Sequence, residues 1–233
     1  MKVDLDDWIQ QQVYFFGVYD TVSINFLKTQ LKPDDYFFDV GANVGCFSLI
    51  ASKCVGDNGK VFAFEPVKRV YTRLYENIEL NRLNNISLIT KALNETDSTL
   101  RLYLACQENL GMSSIQEHDA MSGEVVEIPA ISLDNFIASN NITKVDFIKI
   151  DIEGAELSAL KGMVNTIRVH QPVFLVEISE GVLKEKSERN QIFTFFELFN
   201  YKPFVISAGG VLALHEKGES INSTNYIFKP TLQ

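Results

Sequence analysis

Four apolar runs rich in Val, Ile and Phe carry an acid at or beside their C-terminal ends: Asp39 in Phe37-Phe38-Asp39-Val40, Glu65 after Val61 to Phe64, Asp151 after Val145 to Ile150, and Glu177 after Val173 to Val176. Two more acids, Glu153 and Glu156, flank Gly154 just beyond Asp151. Carboxylates gathered at one edge can accept hydrogen bonds from the hydroxyls of a nucleoside or a sugar. Where burial beside like charge raises a pKa, they can also take a proton near neutral pH. Their hard oxygens suit Mg²⁺ as well, but a Mg²⁺ site needs only one or two carboxylates and leaves little trace in a sequence, so no metal is expected.

The first run opens into Gly41-Ala42-Asn43-Val44-Gly45 and then a helical pattern, an arrangement that brings backbone N–H groups and a helix start close to a ligand. Gly41 lets the turn form and Gly45 lets the helix start lie close. Glu65 follows about 20 residues later, where a carboxylate accepts from both ribose hydroxyls of a nucleoside cofactor, and Pro66 begins the next helix. The turn lacks the middle glycine of the dinucleotide fingerprint G-x-G-x-x-G. Asp39 beside it repels a pyrophosphate and suits a cationic amino group. S-adenosylmethionine, a nucleoside with a sulfonium and an ammonium and no phosphate, meets these conditions.

The elements that must hold these residues alternate. Strands are expected at Tyr36 to Val40, Val61 to Phe64, Ile86 to Ile89, Val145 to Ile150 and Val173 to Ile178, with further ones at Tyr201 to Ile206 and Asn225 to Phe228. Helical spacing marks Val44 to Cys54, Lys68 to Asn81, Ala155 to Met163 and Glu188 to Phe199. A βαβα order implies an α/β sandwich with a mostly parallel sheet, and such sheets bind ligands at strand C-termini, so Asp151 and Glu177 should emerge side by side. A helical pattern from Val18 to Leu31 makes residues 1–33 an expected helical lid, whose Tyr14, Phe15, Phe16 and Tyr19 are candidates to line an acceptor pocket or to join the core. Residues 98–130 read as an irregular insertion near the site, although Leu100, Leu102 and Leu104 alternate as in a half-buried strand. No linker or repeat divides the chain, and residues 1–233 read as one domain.

Asp39-Val40-Gly41-Ala42-Asn43-Val44-Gly45, Phe64-Glu65-Pro66 and Lys149-Ile150-Asp151-Ile152-Glu153-Gly154-Ala155-Glu156 resemble three signature blocks of the FkbM-type S-adenosylmethionine-dependent methyltransferases. The resemblance runs from about Tyr19 to Glu177, and the third block is its most specific part. It implies a class I (Rossmann-like) methyltransferase fold, a seven-stranded sheet with a reversed final hairpin, and methyl transfer to a hydroxyl of a sugar, glycan or secondary metabolite. The family commonly has glutamate where Asp20 stands and glycine where Asp34 or Asp35 stands. Carried onto this chain, the expected cofactor-binding set is Asp39, Gly41, Ala42, Asn43, Gly45, Glu65, Pro66, Ala92, Ser113 and Asp151. Ala92 would lie by the adenine, and Ser113 belongs to a Gly111-Met112-Ser113-Ser114 loop that resembles a family loop near the cofactor. An aliphatic hydroxyl needs a base, and Asp151 is the first candidate, followed by Glu153 and Glu177. A structural role for the third block, with Asp151 as an N-cap and Glu153 and Glu156 as first-turn acids, accounts for those residues but not for Glu177.

Composition narrows the alternatives. With 30 acidic against 21 basic side chains, the formal net charge is −9, which disfavours nucleic acid and anionic lipid as partners. The partner expected is a small molecule or a glycan. Asp151-Ile152-Glu153-Gly154 also lacks the Pro-Pro-aromatic platform that resembles base methylators. Cys46, Cys54 and Cys106 form no CxxC pair, and His118, His170 and His215 have no metal-ligand spacing, as expected of reduced thiols and ordinary histidines. The N-terminus shows neither a basic patch nor an apolar segment, and no apolar run would span a bilayer, so the expected location is the cytoplasm. A nicotinamide-dependent oxidoreductase and a cofactor-binding module without turnover are the competing readings.

Overall fold

The computed structural model describes residues 1–105, 121–178, 186–206, 212–214 and 225–231. In chain order the elements are α1 (Trp8–Phe16), α2 (Thr21–Gln30), β1 (Tyr36–Val40), α3 (Cys46–Val55), β2 (Lys60–Phe64), α4 (Lys68–Asn81), β3 (Ile86–Ile89), β4 (Ala92–Leu93), β5 (Ser98–Ala105), β6 (Met121–Ile131) and α5 (Leu133–Ser139). There follow β7 (Phe147–Ile150), α6 (Glu156–Lys161), α7 (Val164–His170), β8 (Val173–Glu177), α8 (Lys186–Leu198), β9 (Tyr201–Ile206), β10 (Leu212–Leu214) and β11 (Asn225–Pro230).

Strands β3, β2, β1, β7 and β8 run parallel, and β11 and β9 close the sheet antiparallel, which gives the reversed final hairpin. Among the described residues the sheet has eight strands rather than seven, because the short β10 pairs with β9 at the edge. Alternation along each strand sorts the core into two layers. Phe37, Val61, Phe147 and Leu175 face α2 and α3, whereas Phe38, Phe62, Ile148 and Phe174 face the layer that holds α5, α6 and α8.

Three expectations change here. The pattern at Val18 to Leu31 is not a detached lid: Ile24, Phe26 and Leu27 of α2 are buried against Phe37, Phe147 and Ile227, so this helix is a covering layer of the sheet. The preceding α1, capped by the Asp7 side chain, shows Tyr14, Phe15 and Phe16 to solvent and contributes none of them to the core. The segment expected as irregular contains an antiparallel hairpin, β5 with β6, joined by β4 in a small second sheet. Leu102 and Ile128 of the hairpin are buried with Val44, Val67 and Val70, so the hairpin leans over the glycine turn. The single helix expected from Ala155 to Met163 divides into α6 and α7 at Gly162-Met163. Among the described residues no helix is long and apolar enough to cross a membrane.

Candidate functional site

A cavity opens at the C-terminal ends of β1, β2 and β7 and under the β5–β6 hairpin. Its walls include Gly41, Asn43, Glu65, Pro66, Ala92 and Asp151, with Leu100, Leu102, Ile128 and Ile152 as apolar surface. Six of the expected cofactor-binding residues therefore share one space. Asp39, Ala42 and Gly45 do not line it, and Ser113 lies outside the described residues.

The turn is fixed by its backbone. Gly41 and Ala42 donate to the Phe64 carbonyl at the end of β2, at 3.1 and 3.0 Å, and Asp151 donates to the Val40 carbonyl at 3.0 Å. Gly41 has φ +78°, and a Cβ there would stand 1.8 Å from the Asp151 carbonyl oxygen, so the approach of these two segments requires glycine. Gly45 (φ +99°) serves the scaffold, because a Cβ there would meet Leu74 of α4 at 2.5 Å.

Glu65 is buried. Its Oε2 accepts from the Asn43 N–H at 3.1 Å and its Oε1 from the Val67 N–H at 3.0 Å. Each carboxylate oxygen can accept twice, so capacity remains for a ligand diol. Burial pushes its pKa up to about 7, against the lowering effect of those two N–H donors.

Asp39 differs from expectation. Strand alternation turns it away from the cavity toward α3, where it is fully enclosed, with Oδ2 accepting from Ser48 Oγ at 2.5 Å. Its Oδ1 has no hydrogen bond and stands 3.6 Å from the ammonium of Lys149. Lys149 donates to the Gly41 carbonyl at 2.9 Å, reaches Asp151 Oδ2 at 3.0 Å and lies 5.0 Å from the Phe47 ring centre. Burial favours the neutral amine, but the Asp151 and Asp39 carboxylates outweigh it and raise the Lys149 pKa. Lysine in the apolar run Phe147-Ile148-Lys149-Ile150 is the sequence signal of this buried charge.

Asp151, Glu153 and Glu177 form one electrostatic cluster. Burial and then the charges of Asp151, Glu177 and Glu156 push Glu153 up to about 8. Glu153 holds φ +47° and Gly154 φ +91°, two consecutive left-handed residues that reverse the chain beyond β7. A non-glycine residue in that region costs about 1 kcal/mol or more and is characteristic of functional turns. Asp151 is not an N-cap, since Ala155 occupies that position; Glu156 instead accepts from the Gly154 N–H at 3.0 Å and is pushed by burial up to about 7. Tyr19, between α1 and α2, joins the cluster: burial, then the carboxylates of Glu177 and Asp151, raise its pKa, and its ring packs edge-on against Trp8 at 6.0 Å. Among the described residues no group of three or more His, Cys, Asp or Glu is placed to hold a metal ion.

A sequence profile described as the Methyltransferase FkbM domain matches residues 39–203, more than half of the chain. The chain belongs to the FkbM methyltransferase family. Its relatives include the hexuronic acid methyltransferase AglP of Haloferax volcanii, 30% identical over 159 residues that cover 68% of this chain and 62% of the relative. The chain thus matches less than two thirds of the length of that protein. The 31-O-demethyl-FK506 methyltransferase FkbM of Streptomyces tacrolimicus is 27% identical, over 67% of this chain and 70% of the relative. Among solved structures, methyltransferase FkbM from Methylobacillus flagellatus superposes with a TM-score of 0.55 at 16% identity, over 97% of this chain and 62% of that one. A putative rRNA methylase from Clostridium thermocellum gives 0.56 at 12%, over 90% and 94%. At these identities the structural likeness shows the fold, which is that of class I methyltransferases. The sequence blocks resembling this family imply S-adenosylmethionine as the cofactor to set against the site.

The donor set of the cavity fits that cofactor. It offers an acid placed for a diol (Glu65), apolar walls for a flat base and a second acid (Asp151) toward the other end, and the buried ammonium of Lys149 is spent on Asp39, Asp151 and Gly41. A pyrophosphate between Glu65 and Asp151 would be repelled.

Proposed function

We propose that this protein transfers a methyl group to a hydroxyl of a sugar, glycan or secondary metabolite in a reducing, cytoplasmic compartment. The observation that carries the reading is the cluster of Asp151, Glu153 and Glu177 at the ends of β7 and β8, beside the cavity bordered by Glu65 and the glycine turn. The names of the Haloferax and Streptomyces relatives, a hexuronic acid methyltransferase and a 31-O-demethyl-FK506 methyltransferase, support hydroxylated small molecules as acceptors. The net charge of −9 supports the same class over RNA. The free thiols of Cys46 and Cys54 support the reducing compartment.

S-adenosylmethionine, when bound, would supply an electrophilic methyl carbon to the acceptor oxygen. The protein's own work is alignment and proton removal. Glu65 would accept from the ribose hydroxyls, with Gly41 and Asn43 presenting backbone and Pro66 and Ala92 forming walls. Asp151, whose Oδ2 is held 3.0 Å from the Lys149 ammonium, serves as an orienting group. Glu153 is the general base. Its raised pKa is that of a group able to take a proton from a hydroxyl near neutral pH, and the charges of Asp151 and Glu177 that raise it favour the protonated product. Glu177 lies on the acceptor side as an orienting acid. No metal is part of the proposal.

The test is transfer of a tritium-labelled methyl group to uronic acids, glycosides and polyhydroxylated natural products, with transcribed RNA in parallel. The reading expects label in an alkali-stable ether. Label in RNA alone, or only in alkali-labile esters, would contradict it.

A further inference from the structure

A lysine at the centre of the sheet is unexpected beside a site that receives a sulfonium. The register of the strands explains how it is housed. Across the sheet the row reads Ala63 on β2, Asp39 on β1, Lys149 on β7 and Leu175 on β8. Asp39 and Lys149 are therefore neighbours by register, flanked by apolar residues, and the Phe47 ring and Ser48 hydroxyl of α3 close over them. The side chains are 0% and 6% exposed. A buried ion pair of this kind is rarely the most stable filling for such a space, since apolar residues of similar volume do as well, and this one has a geometry that does more than fill it. One ammonium reaches three points on two segments: the Gly41 carbonyl in the turn after β1, Asp151 in the turn after β7, and Asp39 below both.

We propose that Lys149 is a positioning residue that ties the Asp151 carboxylate to the glycine turn, so that the methionyl end of the cofactor meets a preset edge made of Gly41 and Asp151. Asp39 acts at one remove. It does not face the cavity; it neutralises Lys149, and the site then presents no net positive charge to a sulfonium. This assigns the acid of the first strand a task different from direct capture of the amino group. The proposal rests on the cofactor reading of the cavity and goes beyond it by predicting which half of the ligand Lys149 serves. Glu65, 7% exposed and held by the Asn43 and Val67 N–H groups, serves the ribose half independently.

Calorimetric binding to the full chain separates the two halves with two probes. S-adenosylhomocysteine carries the amino-acid end, and 5′-methylthioadenosine keeps the nucleoside and thioether but lacks it. Lys149→Met should weaken S-adenosylhomocysteine by about tenfold or more, the size of one charge-assisted hydrogen bond, and leave 5′-methylthioadenosine within about twofold. Lys149→Arg, which keeps the cation, should restore most of the loss. The double variant Asp39→Asn with Lys149→Met leaves no buried charge unpaired and should show the same split, so it decides the matter if the single variant does not fold. Equal losses for both probes, or an unchanged affinity for S-adenosylhomocysteine, would overturn the proposal while the cavity reading stands. A wild-type protein that binds neither probe would overturn both.

Discussion

Replacing Glu65 by alanine separates the scaffold from the ligand in one experiment. In the protein the carboxylate accepts from the Asn43 and Val67 N–H groups. These donors lose a charged acceptor but border the cavity, where water can replace it. A net cost of about 2 kcal/mol, at roughly 2–4 °C per kcal/mol for a chain of this size, lowers the melting temperature by about 4–8 °C. Ribose binding loses more. Two hydroxyls donating to a carboxylate contribute about 1.5 kcal/mol each at the low end, so the affinity for S-adenosylhomocysteine should fall roughly 100-fold. A protonated Glu65 donates where it should accept, and the burial that raises its pKa to about 7 makes this testable: wild-type affinity should decline as pH drops through that value, and the alanine variant should be flat. Titration calorimetry on both proteins on either side of that pH reads the two effects. A folded Glu65→Ala variant that binds S-adenosylhomocysteine within about threefold of wild type would refute the assignment of this acid to the ribose.

The other predictions concern protons. With cofactor saturating, kcat should rise as Glu153 ionises at about pH 8, and Glu153→Gln should lower kcat while leaving S-adenosylhomocysteine affinity unchanged. Loss of a general base costs about 100-fold or more, so a variant with wild-type kcat and pH profile would exclude this residue as the base. Stability should fall as pH rises. Burial lifts Glu65, Glu156 and Glu153 from an ordinary 4.5 to about 7, 7 and 8, so between those values the folded chain holds more protons than the unfolded one, and raising pH removes that advantage. Thermal unfolding should give a higher midpoint on the acidic side of this window than above it, and the opposite trend would show that these carboxylates are not desolvated.

Strand positions and the meeting of Glu65, Gly41, Asn43 and Asp151 were legible because a period of two and a glycine turn are local signals. The same period places Asp39 on the strand face of Phe37, opposite to that of Val40, which borders the cavity. Two features were less accessible. Lys149 and Asp39 pair only through the register of β1 with β7, more than a hundred residues apart in the chain, and no local pattern encodes that register. Helix α2 read as a lid because its apolar spacing is weak, but three of its residues, Ile24, Phe26 and Leu27, are enough to seat it on Phe37 and Phe147. At β5 and β6 the alternation of Leu100, Leu102 and Leu104 was visible, whereas the partner strand and its lean over Val44 and Val67 depend on tertiary contacts.

The cavity at the ends of β1, β2 and β7 should hold an adenosyl thioether and not a dinucleotide. Thermal unfolding of the protein titrated in parallel with S-adenosylmethionine, S-adenosylhomocysteine and NAD tests it most directly. A ligand at about 100 times its Kd adds roughly 2.7 kcal/mol to the folded state. At roughly 2–4 °C per kcal/mol that is a rise of about 5–10 °C. This rise is expected with the two adenosyl ligands and none with NAD. A rise with NAD alone would contradict it.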